Sequence, residues 1–302
     1  MAKTYLELLE LEADRAVAKA YKKSLDSIRG KVSAFYEKYE NNGKLDYAEA
    51  VKYNRLANFE KDLRSELKIL GQDLYSVDKQ FVAKLYNAGY YDVAYKVSMQ
   101  SRTNLAFTKP TKDTLDNIVN QLVGGATINE RIARMITNDA YQYTSAVRSG
   151  LVQGLSVSQL RTNIKDTFNK RAYEATRIVR TETHRAMVEG KVSGMAEAED
   201  LGVKIKKMWV ASMDSRTRDT HSELDGEKVN LDEDFEWIAA DGSKVSASGP
   251  GLSGNPGEDI NCRCAVIEVI EGFEPEFRSN AKGDTIPYVS RETYMEMNNV
   301  RI

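Results

Sequence analysis

The residues best suited to chemistry lie late in the chain. EDINCRCAVIEV (258–269) carries Cys262 and Cys264, the only cysteines among 302 residues. Earlier in the same region, WVASMDSRTRDTHSELDG (209–226) holds His221, one of only two histidines, together with Asp214, Arg216 and Arg218. An imidazole, two thiols and a carboxylate supply the N, S and O donors that Zn²⁺ accepts in a tetrahedron. His221, Cys262, Cys264 and Asp214 are therefore the candidate metal ligands, with zinc as the candidate ion. Cys-x-Cys on extended backbone sends both side chains to one face, which suits two ligands of a single ion. The spacing is not the Cys-x₂-Cys knuckle, and two other readings fit the same residues. The cysteines can be reduced core side chains with His221 bonded to a loop carbonyl, or they can form a strained Cys262–Cys264 disulfide.

The charged neighbours also admit two uses. Asp214, Arg216 and Arg218 suit an ion-pair lattice, because a guanidinium grips a carboxylate with two hydrogen bonds. A histidine among Asp, Arg and Glu223 also suits general acid–base work in a hydrolase. No nucleophile elbow, phosphate-cradling glycine loop or HExxH helix accompanies them. The expectation is a protein that is not an enzyme. The alternative is a metal-dependent nuclease or toxin-like enzyme using His221 with Asp214, Arg216 and Arg218.

Those residues need elements to hold them. Four of the five prolines fall at 250 or later, and the Pro-free stretches before them favour helices. Leu9, Ala13, Val17, Ala20, Leu25, Ile28, Val32, Phe35 and Tyr39 trace one stripe of a long helix, which Asn41-Asn42-Gly43 stops. A second helical pattern runs over Tyr47–Leu70, and a third, interrupted by Gly89, reaches Met99. Thr127-Ile-Asn-Glu130 and Ser156-Val-Ser-Gln159 have capping-box spacing, and a further helix is expected over Arg171–Asp200. After Gly202, KIKKMWVAS alternates charged and apolar residues like a half-exposed strand, and CAVIEVIE reads as another. Between them, residues 241–259 read as a Gly/Pro loop. The expected fold is α+β: an elongated, mainly α-helical N-terminal two-thirds followed by a small β-containing C-terminal module. The expected divisions are a long-helix, partner-binding arm (1–109), a helical core (110–202), the α+β module (203–272) and a C-terminal tail (273–302) that packs or stays mobile.

Charge is uneven along the chain. Residues 1–100 hold 17 basic against 15 acidic residues, residues 101–191 hold 14 against 8, and residues 192–302 hold 12 against 22, so +2, +6 and −10 sum to the net −2. The basic middle includes Arg161, Lys165, Lys170, Arg171, Arg177, Arg180, Arg185 and Lys191, which along helices present a face for phosphates without reading bases. Solvated surface or internal pairing of Arg177, Arg180 and Glu182 explains the same charges. Tyr36, Tyr39, Tyr47 and Tyr53 on the first helices suit a protein interface or a core. No apolar run is long enough for a bilayer and the N-terminus lacks a signal core, so no membrane partner is expected.

Taken in order, the motifs become recognisable. Arg177-Ile-Val-Arg180-Thr-Glu182-Thr183 precedes Trp209, Asp214-Ser-Arg216-Thr-Arg218 and His221. Leu224-Asp225-Gly226 follows, then the Gly/Pro loop and Asn261-Cys262-Arg263-Cys264. This set, over residues 125–270, resembles the Mu F-like head-morphogenesis proteins of tailed bacteriophages. Trp209, Arg216, Arg218, Asp225, Gly226 and Asn261 are then its structural motif residues, while His184 stands where a neutral polar residue is expected and is left out of the ligand set. The resemblance implies a minor capsid protein at the portal vertex, acting in head morphogenesis and DNA packaging or delivery without enzymatic activity. It implies the portal protein as partner, with scaffold, major capsid protein and double-stranded DNA as further contacts. Its place would be the virion head interior, and the host cytoplasm during assembly. Some relatives carry toxin domains beyond the motif, and the residues after the cysteine pair are too few for one.

Overall fold

A computed structural model describes residues 4–41, 45–102, 105–212, 214–273, 275–279 and 285–288. The chain is α+β with a helical majority. Its long elements are α1 (Tyr5–Tyr39), α2 (Tyr47–Val51), α3 (Arg55–Ser101), α4 (Lys112–Asn120), α5 (Ile128–Val152) and α6 (Val157–Asp200). There follow β1 (Ile205–Val210), α7 (Asp219–Glu223), β2 (Lys228–Val229), β3 (Phe235–Ile238), β4 (Lys244–Ala247), α8 (Pro256–Asp259), β5 (Ala265–Ile270), β6 (Phe277–Ser279) and β7 (Thr285–Pro287). They form two compact units, each gathered from separated stretches of chain.

One unit, Leu11–Gln80 with Ala126–Val179, is helical among the described residues. The buried stripe on α1 within it is Ala13, Val17, Ala20, Ser24, Ile28, Val32 and Phe35. Steps of three and four hold throughout, so Ser24 takes the slot that hydrophobicity alone gave to Leu25, which is half-buried. The second helical pattern is split: Tyr53 and Asn54 adopt left-handed φ of 51° and 58°, and α3 starts at Arg55 after that kink. The start of α5 carries the expected capping box, with Thr127 and Glu130 exchanging bonds. Ser156 and Gln159 exchange bonds in the same way at the start of α6, which runs unbroken to Asp200 where two helices were expected. Phe168 stacks on Tyr143 at 4.4 Å between ring centroids, and buried Asp139 is ion-paired with Arg171.

The other unit, Met1–Glu10 with Phe81–Gly125 and Arg180–Ile302, contains the candidate ligands. Here α3 continues straight through Gly89. A Cβ at Gly89 would stand 2.2 Å from the Met187 carbonyl oxygen, one at Gly190 2.1 Å from that of Tyr86, and one at Gly194 2.8 Å from that of Tyr90. Gly89 therefore lets α3 and α6 touch backbone to backbone rather than ending a helix. Against these helices lies a three-stranded antiparallel sheet in the order β2-β1-β5, with Trp209 opposite Val266 and Lys207 opposite Glu268. A separate hairpin pairs β3 with β4. The shared core includes Val93 and Val97 of α3, Val188 and Met195 of α6, Trp209, Phe235, Trp237, and both cysteines. Lys96 is ion-paired with Asp92 at 2.8 Å and with Glu268 of β5 at 3.5 Å, and Lys191 with Asp92 at 3.3 Å. These pairs tie α3, α6 and β5 together.

The stretch 241–259, read as a loop from its composition, contains strand β4 and the short helix α8. Asn255 caps α8 through the Gly257 amide with Pro256 at its first turn. Asp259 accepts from the Ser253 and Gly254 amides at 3.1 and 2.7 Å, so one buried carboxylate fixes the Ser253–Gly254 turn. Within the tail, β6 pairs with β7. Residues 274, 280–284 and 289–302 of the expected tail lie outside the described residues.

Candidate metal centre

His221 is placed by α7, whose start at Asp219 follows the loop that Asp214 and Thr217 close. Both cysteines come from the turn between α8 and β5. Asn261, with φ of 58°, turns the chain there and donates its amide to Thr181 Oγ1 at 3.4 Å. Cys262 Sγ and Cys264 Sγ each lie 3.6 Å from His221 Nδ1, and the three donor atoms all lie within 4.8 Å of one another. Their residues are only 2–6% exposed, and both thiols are free. The Cys264 thiol is pulled below its usual range, chiefly by its hydrogen bond with Cys262, against the effect of burial. Cys262 is pushed well above its usual range by that same hydrogen bond and by burial.

His221 is gripped from its other side. Its Nε2 lies 2.8 Å from Glu258 Oε2, and the same oxygen accepts from Trp237 Nε1 at 3.2 Å and Thr220 Oγ1 at 3.3 Å. Trp209 and Trp237 stand edge-on to the imidazole at 5.3 and 5.9 Å. Sequence reasoning missed Glu258 and Trp237. The signal available for Glu258 was a carboxylate in the first turn of a Pro-started helix, one turn ahead of Cys262.

The donor set fits a borderline-soft ion. At a Zn–S bond of ~2.3 Å and a Zn–N bond of ~2.0 Å, sulfur and nitrogen on one tetrahedron stand ~3.5 Å apart. The observed 3.6 Å separations match that spacing for both sulfurs. A buried carboxylate on the far nitrogen is the outer-shell partner that metal-bound histidines ordinarily have.

Asp214 is not in this group. Its carboxylate accepts both guanidinium nitrogens of Arg263, Nη2 at 2.6 Å, and also the Arg216 amide at 2.9 Å. The hydrogen bond from Arg263 holds its carboxyl well below the usual range. The exposed Arg263, between the two cysteines, takes the carboxylate that sequence proximity to His221 suggested as a ligand. Of the motif residues, Trp209 is fully buried, and its carbonyl accepts the Gly226 amide at 2.9 Å. Asp225 accepts the Ala211 amide at 2.8 Å, and Arg218 donates to the Ile260 carbonyl at 2.8 Å. The Arg216 side chain is exposed beside Asp214. These residues brace the strand, the loop and the cysteine turn.

Of the eight basic residues expected to meet DNA, three are taken by internal partners. Arg185 is buried, pairs with Glu182 and Glu189, and donates to the Ile118 carbonyl at 2.7 Å. Lys191 is buried against Asp92, and Arg171 is taken by Asp139 and Glu174. Charge counting could not see Asp139 of α5 and Asp92 of α3, which reach these residues from other helices. Arg161 is half-buried, while Lys165, Lys170, Arg177 and Arg180 are exposed.

Comparison with known proteins places the chain. The family described as Phage Mu protein F like protein matches residues 142–267, which take in the Arg-Thr-Glu helix, His221 and both cysteines. Over 284 residues, 91% of this chain and 87% of the relative, the sequence is 32% identical to the minor head protein GP7 of Bacillus phage SPP1. This chain belongs to the Mu F-like phage head protein family. Another member of that likeness is the NAD(+)–arginine ADP-ribosyltransferase EFV of Enterococcus faecalis, 31% identical over 271 residues, which are 89% of this chain and 54% of that protein. The chain thus spans about half the length of that relative. An uncharacterised protein of Haemophilus influenzae is 27% identical over 221 residues, 72% of this chain and 42% of that one. No solved structure matches. Among the described residues, no helix is long and apolar enough to cross a membrane.

Proposed function

We propose that the protein is a minor head component that works at the portal vertex during head assembly and DNA packaging, with no catalytic role. The observation that carries this reading is the match to a minor head protein over nearly the whole of both chains. The buried placement of His221, Cys262 and Cys264 supports a structural use of these residues, since a hydrolytic site needs an opening for substrate. They would hold one zinc ion. When bound, it supplies a cross-link between α7 and the cysteine turn. Lys165, Lys170 and Arg177, with Arg161, would contact packaged duplex DNA through its phosphates.

The enzyme reading has one observation in its favour, the likeness to a relative named for ADP-ribosyl transfer. That activity belongs to a protein of which this chain covers about half. Incubation with plasmid, RNA, or NAD⁺ and an arginine acceptor, with and without Zn²⁺ or Mg²⁺, separates the two. The expected result is no turnover, and a His221→Ala variant that only melts earlier. Turnover that disappears in that variant would overturn the structural reading.

A further inference from the structure

Resting on the zinc reading above, we infer that Glu258 is the positioning residue of this centre. It fixes the tautomer of His221 so that Nδ1 is the metal ligand. Three groups converge on one oxygen of this buried carboxylate: His221 Nε2, Trp237 Nε1 and Thr220 Oγ1. An indole N–H can only donate, and an ionised carboxylate can only accept. Glu258 Oε2 is thus an acceptor whose geometry is set by the indole, and at 2.8 Å it calls the imidazole proton to Nε2. The lone pair is left on Nδ1, the atom 3.6 Å from both sulfurs. The ring planes of Trp209 and Trp237, near-perpendicular to the imidazole, keep it from rotating out of this alignment.

The carboxylate also explains why α8 belongs to the site. This short helix carries Glu258 on one side and Asp259 on the other, and Asp259 ties the Ser253–Gly254 turn. The loop 248–261 is therefore fastened to the ligand set through Glu258 and to itself through Asp259. A glutamate placed here purely to satisfy the indole would have no bearing on which imidazole nitrogen is bare.

The test reads both consequences. Imidazole ¹H–¹⁵N correlations on the metal-free wild type should show the Nε2–H tautomer. On adding Zn²⁺, only the Nδ1 resonance should move to the metal-bound range. In competition with a chromophoric chelator, Glu258→Gln should bind Zn²⁺ about 10–100-fold more weakly than wild type. Trp237→Phe, which removes the indole donor but leaves the carboxylate–imidazole pair, should weaken binding less than Glu258→Gln does. Wild type that takes up zinc while Glu258→Gln binds it equally tightly would overturn this inference alone, as would an Nδ1–H tautomer. Wild type that binds no zinc would overturn the zinc reading first and this inference with it. The tautomer is read on wild type, so the inference stays testable even where Glu258→Gln does not fold.

Discussion

Cys262 and Cys264 share an imidazole but not a charge state. Their mutual hydrogen bond favours one thiolate, at Cys264, with Cys262 kept protonated. A cation held between them would draw out the second proton, so binding should release protons and weaken as pH falls. Stripping the ion with a chelator should lower stability by about 4 kcal/mol where free zinc stood at a thousand times its Kd, read as a fall in Tm. Cys262→Ser should melt like the stripped protein and gain nothing from added Zn²⁺. These candidate ligands were legible because histidine and cysteine are so scarce here that their clustering carries weight. Glu258 was not, because one carboxylate among many declares its partner only after α8 is folded against α7. Asp214 was misread for the converse reason, since closeness in sequence to His221 says nothing of the arginine that arrives with the cysteine turn. Arg185 gives a second residue-scale contrast. Arg185→Met would take one cation from buried Glu182 and the donor from the Ile118 carbonyl, and should cost about 1–3 kcal/mol in urea unfolding. It should leave DNA retardation by the folded protein unchanged. Lys165→Ala with Lys170→Ala should leave melting unchanged and flatten the salt dependence of retardation by about two phosphate contacts.

Among the elements, helices were read well where periodicity alone decides them. The stripe on α1 and the capping box of α5 follow from local spacing and side-chain chemistry, and both stand in the structure. Gly89 shows what local reading lacks. It weakens a helix in isolation, yet here it is needed because α6 crosses at backbone distance, and only the partner helix reveals that. Gly190→Ala would drive a methyl to 2.1 Å from the Tyr86 carbonyl and should destabilise by about 1–3 kcal/mol or more. Gly30, with nothing within 4 Å of an added Cβ, is the control, and Gly30→Ala should stabilise by about 0.5–1 kcal/mol. Chemical denaturation of both variants checks the pair. The Gly/Pro stretch 241–259 was opaque for a related reason: its order comes from the β3 pairing and from Asp259, neither of which composition encodes.

For the whole molecule, uneven charge was legible and its meaning was not, because buried pairs consume much of the basic middle. His184 gives a readout of that burial. Its surroundings, chiefly burial and then Lys191, hold the imidazole down to about 4. The hydrogen bond to the Cys264 backbone opposes this. The folded form is thus the neutral one, against an unfolded value of ~6.5. Its contribution is present in full above pH 6.5 and drains away as pH falls toward 4, by up to about 3 kcal/mol. Urea unfolding of a zinc-free Cys262→Ser protein should show that loss between pH 6.5 and 4, and His184→Gln should reduce it. The family assignment bears on assembly, and assembly is measured in particles. The most direct measurement is quantitative mass spectrometry of this chain in purified, DNA-filled heads and in empty heads of the phage that encodes it. The expected result is a few copies per head, retained after high-salt washing of both. Its absence from both kinds of head, with the chain left free in the lysate, would contradict a role as a minor head component.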